Sequence, residues 1–310
     1  MRSLRETNIT QYPRTHSRYK QDTSINPMKQ NVLLLAATCS ALLLPPTEES
    51  NAQLGGIMNP PCIDTSFLNR KPVPYTYLRD ADVMWSRRIW RVIDLREKIN
   101  LPLYFPLMPT NCLYSLFDII KKNVISGQLS AYGNPVMDDQ FTIQLGKTEI
   151  EKTFFRADTI EVDDLSGGIE KRVVITEVMP QDIKQYWIKE DWFFDKQRSV
   201  LDVRIIGIAP LKESKDENGD VRGYTPMFWI YFPELRQFLA KNPVYNRGNN
   251  GPRLSFDDLF WKRQFSSYIR KADNVYDRAI AEYKQGLDAL LESEAIKEDI
   301  FNFEHDLWHF

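Results

Sequence analysis

The chain has 310 residues, is 43% hydrophobic and 26% charged, and balances 40 basic against 42 acidic residues for a formal net charge of −2. That balance argues against a nucleic-acid binder, which needs a strong basic excess to neutralise phosphates. Aromatics make up 12% of the chain, including seven Trp and 14 Tyr, and such side chains require burial in a core or against a partner.

Residues 1–27 are polar, lack apolar periodicity and precede a second methionine, so translation is expected to start at Met28; if made, they are a disordered leader. From Met28 onward, Lys29 supplies a short positive region and Val32 to Leu44 an apolar run too short to span a bilayer. Pro45 and Pro46 end any helix, and Ser50-Asn51-Ala52 offers the small residues of a cleavage site. Residues 28–52 therefore read as a secretory signal peptide, and the expected address is outside the cytoplasm. Cys39 sits inside the run, after Thr38 and before Ala41 to Leu44, which is not where a lipidated cysteine belongs.

The expected mature chain has 258 residues, with 34 basic against 38 acidic, and no later apolar run long enough to cross a membrane. It keeps two cysteines, Cys62 and Cys112. An oxidising compartment permits a bond between them, closing a loop of about 50 residues and contributing on the order of 4 kcal/mol. Two cysteines alone leave disulfide and free thiols both open.

Residues 53–77 are Pro- and Asn-rich and read as an extended arm. Asp80 to Asn100 reads as a helix: Val83, Ile89, Val92, Ile93 and Ile99 fall near helical spacing, with Trp85 and Trp90 beside them and arginines on the remaining surface. The three prolines of Leu101 to Pro109 argue against regular structure there. Asn111 to Gly127 is a second amphipathic helix. Strands are expected at Phe141 to Leu145, Lys152 to Val162 and Lys171 to Val178. Ile183 to Phe194 and Ser199 to Ile208 form a long hairpin, with Tyr186, Ile188, Trp192 and Phe194 on one face. Thr225 to Tyr231 is a further strand, and Pro233 opens a short helix. Ser255 to Asp258 resembles a capping box, and Asn274 to Glu298 reads as one long charged helix. The expected fold is α+β, a central antiparallel sheet flanked by N-terminal and C-terminal helices, with a core domain over 78–245 and a helical region over 246–310.

Chemistry is hard to place on this sequence. His305 and His309 stand four residues apart near a chain end, too few ligands for a metal site. No nucleophile elbow or phosphate loop is present. The adjacent carboxylates Asp138-Asp139, Asp163-Asp164, Glu190-Asp191 and Asp257-Asp258 read as turns and caps; on a strand, Glu190 and Asp191 point to opposite faces and cannot share a cleft. No catalytic residue, metal ligand or cofactor is expected. The distinctive cluster is Trp85, Arg87, Arg88, Trp90 and Arg91, residue types enriched at binding hot spots, and it is the candidate interface.

The segment DVMWSRRIWRVIDLREKINLPLYFP (Asp82 to Pro106) resembles the hallmark segment of the gliding-motility protein family GldN, called PorN in oral anaerobes. The resemblance continues through LYSLFDIIKK (Leu113 to Lys122) and IKEDWFFDKQRSVLDVRIIGIAPLKE (Ile188 to Glu213). It implies a non-enzymatic periplasmic subunit of the type IX secretion system. Such subunits form a ring with the lipoprotein GldK/PorK on the inner face of the outer membrane, and the ring meets the GldL–GldM (PorL–PorM) motor. The alternatives are a periplasmic glycan- or peptidoglycan-active enzyme, which needs two facing carboxylates in a cleft, and a glycan-binding module with exposed aromatics.

Overall fold

The computed structural model describes residues 65–110, 113–133, 135–136, 139–163, 169–216, 220–245 and 254–307. The chain divides into two units, Met1–Ala52 and Gln53–Phe310, and all described residues belong to the second. The expected leader and signal peptide, Cys62 and Cys112 lie outside the described residues.

A short helix α1 (Thr65–Leu68) precedes the first strand, β1 (Val83–Asp94). The segment expected to be a helix is thus a twelve-residue strand. Antiparallel pairing with a later strand carries it, from Trp85 opposite Phe194 to Asp94 opposite Gln185. The physical reason is double-sided burial. A strand covered on both faces loses the polar–apolar alternation that marks a half-buried one. Ile89 and Ile93 fill one face while Trp90 and Val92 fill the other. The Val, Ile and Trp content suits a pleated surface.

Helix α2 (Leu101–Tyr104) follows, with Pro102 in its first turn, where a proline is tolerated because its missing N–H has no partner to lose. The prolines of this connector therefore start a helix as well as interrupt one. Helix α3 (Leu116–Ile125) is shorter than expected, and the Ser115 hydroxyl caps it by accepting from the Asp118 N–H at 3.1 Å. Strand β2 (Ala131–Tyr132) is minimal. Phe141 to Leu145 is not a strand: only Gln144 bridges to Tyr132, and Phe141 takes a left-handed backbone (φ 59°). Helix α4 (Lys147–Phe154) occupies ground partly expected to be strand. The two strands expected next follow as β3 (Phe155–Asp163) and β4 (Ile169–Glu177), which pair in a separate two-stranded sheet.

The long hairpin stands as expected, with β5 (Ile183–Asp195) and β6 (Val200–Lys215) placing Trp192 opposite Val203 and Phe194 opposite Leu201. Its turn is held by the Asp195 carboxylate, which accepts from the Gln197 N–H at 2.9 Å. The next expected strand divides into β7 (Val221–Pro226) and β8 (Trp229–Tyr231), and α5 (Phe232–Leu239) begins with Pro233 in its first turn. The capping box at Ser255 and Asp258 is present and opens α6 (Phe256–Trp261). Strand β9 (Tyr268–Ala272) lies in the region expected to be helical and pairs with β1. The expected long helix is broken: α7 (Ile280–Tyr283) ends before Gly286, whose φ of 57° with ψ of −126° favours glycine, and α8 (Leu287–Asp306) follows.

The fold is mixed α and β with a central antiparallel sheet and flanking helices. Strands run in the order β2-β8-β6-β5-β1-β9, with β7 also on β6. One sheet face packs Tyr186, Ile188, Ile205 and Ile208 against α3, α5 and α6 through Phe117, Ile120, Leu235 and Phe260. The β1–β9 end of that face packs Ile89 and Ile269 against Ile296 and Ile300 of α8. The opposite face buries three tryptophans, Trp90, Trp187 and Trp229. The edge strand β9 is covered by α8, whose Ser293 hydroxyl accepts from the Ile269 N–H at 2.9 Å.

Candidate interaction surface

The Trp/Arg cluster sits on a central strand, and the strand sorts its side chains alternately to two faces. Trp85 lies half-buried on the α8 side, its ring stacked 4.6 Å from that of Phe303. Ile89 and Arg91 share this face. The Arg91 guanidinium is buried, donating from Nε to the Ser267 hydroxyl at 2.8 Å and from Nη2 to its carbonyl at 3.1 Å. Burial holds the Arg91 pKa below the ordinary guanidinium value, although the carboxylate of Glu190 opposes the shift.

On the other face, Trp90 is buried, with the Lys271 ammonium 4.4 Å and the Lys189 ammonium 5.7 Å from its ring centroid. Lys189 is itself buried and donates to the Asp139 carbonyl; burial lowers its pKa more than the Asp139 carboxylate raises it. Arg88 is half-exposed and paired with Asp191. The five candidate residues do not form one patch: Trp90 and Arg91 are built into the interior from opposite faces, and Arg87 and Arg88 remain half-open.

Three arginines that local sequence reading passed over carry further long-range polar contacts. Arg263 donates to both oxygens of the fully buried Glu190, at 2.8 and 3.1 Å, and the Trp192 indole adds a third donor at 3.1 Å. Arg236 of α5 clamps Asp257 of α6 at 2.7 and 3.1 Å, both side chains being buried. Arg204 donates to the Thr76 carbonyl at 2.6 Å. Arg204 and Arg236 fasten the arm. The Tyr75 ring stacks on Trp261 at 5.7 Å, lies 4.5 Å from the Arg236 guanidinium, and Arg70 pairs with Asp258 at 2.8 Å. Burial raises the Tyr75 phenol pKa. Each partner is distant in sequence, so no local spacing announces it.

The carboxylate pairs resolve as structural groups where described. Glu190 and Asp191 point to opposite faces and each meets its own arginine. The hollow beside Tyr75 holds Asp202 and Asp257, but Asp257 is clamped by Arg236, and Asp202 accepts from the Val203 N–H and from Arg198. Asp138, Asp164 and His309 lie outside the described residues. Among the described residues no three His, Cys, Asp or Glu side chains gather as metal ligands, and no helix is long and apolar enough to cross a membrane.

Large apolar side chains reach solvent at several places. Val173 and Ile175 do so on β4, Tyr77 on the arm, Met108 beyond α2, and Leu287, Leu290, Leu291 and Phe301 on α8. Single exposed apolar residues are ordinary, whereas groups of them on one element mark contact surfaces.

The sequence model of a family described as "Gliding motility associated protein GldN" matches residues 78–309, about three quarters of the chain. No curated protein matches it.

Proposed function

The chain belongs to the GldN family, and from that premise we propose that it is a non-enzymatic periplasmic subunit of the type IX secretion and gliding machinery. In this reading it self-associates in a ring on the inner face of the outer membrane, held there by the lipoprotein GldK/PorK. The ring receives GldM/PorM of the GldL–GldM (PorL–PorM) motor, and no cofactor takes part. Export through residues 28–52 supplies the address, and a lipidated partner supplies the anchor.

The observation that carries the reading, beside family membership, is the commitment of the polar groups. Glu190, Asp191 and Asp257 are each held by an arginine within the fold, while apolar side chains on α8 and β4 face solvent. That pattern suits assembly better than hydrolysis, which needs two carboxylates facing one substrate. Of the five candidate residues, Arg87 and Arg88 are the ones open to a partner; Trp90 and Arg91 are buried, and the half-buried Trp85 stacks on Phe303.

Crosslinking followed by purification from the native envelope tests this. The expected result is recovery in a large complex containing the lipoprotein. An Arg87→Ala/Arg88→Ala variant that keeps the wild-type circular dichroism spectrum is expected to assemble less of it. Recovery of the chain as a free monomer overturns the ring, and wild-type assembly by the folded variant overturns the role of these two arginines.

A further inference from the structure

Helix α8 is apolar on two sides. Its inner side is accounted for, with Ile296 and Ile300 buried against Ile89 and Ile269, and Phe303 stacked on Trp85. Its outer side carries Leu287, Leu290, Leu291 and Phe301, each between 58% and 70% exposed. Positions 287, 291, 294, 298 and 301 advance by alternate steps of four and three, the spacing that keeps side chains on one seam of a helix and in one coiled-coil contact. The two middle positions of that seam are the exposed carboxylates Glu294 and Glu298.

We propose that this seam docks an amphipathic helix from another polypeptide, apolar toward both ends of the contact and carrying Lys or Arg in its middle. Charge selects the occupant. In an antiparallel pair of α8 helices, the register that sets Leu291 against Phe301 also sets Glu294 against Glu298. In a parallel in-register pair, each glutamate meets its own copy. Either arrangement gathers four carboxylates in one contact, and like charges so placed work against pairing. Lys297 lies 2.8 Å from Glu294, but both are well exposed, and a pair of that kind offsets little. A basic helix meets both glutamates and covers the apolar ends. The inference rests on α8 alone and stands whether or not the chain assembles in a ring.

The probe is a synthetic peptide of residues 284–307 carrying Glu294→Lys and Glu298→Lys, fluorescently labelled and titrated with the full chain; the unaltered peptide is the control. The altered peptide is expected to bind at least ten-fold more tightly than the control, and less tightly as salt rises. Leu291→Gln in the chain is expected to weaken that binding at least ten-fold while leaving thermal unfolding unchanged, because Leu291 is solvent-facing. Equal affinity of the two peptides, absence of binding, or indifference to Leu291→Gln overturns the proposal. A concentration-dependent dimer of the unaltered chain, abolished by Leu291→Gln, also overturns it by assigning the seam to a second copy.

Discussion

Arg88 and Asp191 face each other directly across β1 and β5, and the guanidinium donates to both carboxylate oxygens, from Nε at 2.6 Å and from Nη2 at 2.9 Å. The pair is bidentate but more than a third exposed on the arginine side, so solvent screens it. A double-mutant cycle with Arg88→Ala and Asp191→Ala is expected to give a coupling of about 0.5–1 kcal/mol in urea unfolding, shrinking as salt rises. A coupling that salt leaves unchanged would show that the pair acts as a buried one.

The neighbouring carboxylate behaves differently because it is inside. Glu190 is fully buried and depends on Arg263 and the Trp192 indole for its donors. Arg263→Ala strands a buried charge and is expected to cost about 3–5 kcal/mol. Adding Glu190→Leu to Arg263→Met is expected to recover most of that loss, because removing both partners leaves no unpaired group. Urea unfolding of the wild type, Arg263→Ala and the double variant decides it. A double variant as unstable as Arg263→Ala would mean that packing of the arginine stem dominates.

These two pairs also show what was legible in the sequence. That Glu190 and Asp191 point to opposite faces follows from strand geometry alone, and so do the β5–β6 hairpin and the faces of Tyr186, Ile188, Trp192 and Phe194. The helical starts at Pro233 and Ser255 were legible because capping chemistry is local, whereas the helix expected from Asn111 begins only after Ser115. Strand β1 was not, because burial on both faces erases period-two alternation, and only pairing with β5 and β9 makes it a strand. The candidate cluster was found by residue type, but on β1 its members divide between two faces, so their grouping in sequence did not become a grouping in space. Arg263, Arg236 and Tyr75 were illegible for a related reason: their partners lie far away in the chain.

A glycine supports the tryptophan-rich face of the sheet. At Gly207 of β6, a Cβ would meet the Phe141 ring at 2.5 and 2.9 Å and Trp229 at 3.3 Å. The Phe141 backbone is already left-handed, and its ring also contacts Tyr132 and Tyr231, so it has little room to retreat. Gly207→Ala is therefore expected to destabilise the fold by about 1–3 kcal/mol, the usual cost of overpacking. Phe141→Leu in the same chain is expected to relieve part of it. An alanine variant as stable as the wild type would show that Phe141 moves freely.

Acid should unfold the protein through specific carboxylates. The hydrogen bond from Arg96 holds the Asp94 carboxyl below its ordinary pKa, and that from Arg198 does the same for Asp195. A carboxyl whose folded pKa is depressed contributes stability that is complete above its unfolded value, about 3.9, and is lost as pH falls toward the folded one. Asp118 has the opposite sign: burial raises its pKa despite the hydroxyl and N–H of Ser115, so protonation relieves a cost as pH falls. Stability measured in urea is therefore expected to hold from about pH 7 to 5 and to fall below about pH 4. Asp94→Asn is expected to lower stability at neutral pH and flatten the acid slope, whereas Asp118→Asn should steepen it. The neutral-pH loss at Asp94 is expected to be small, because its arginine partner is mostly solvent-exposed. An acid slope identical in the wild type and in both variants would place the acid-sensitive carboxylates elsewhere in the fold.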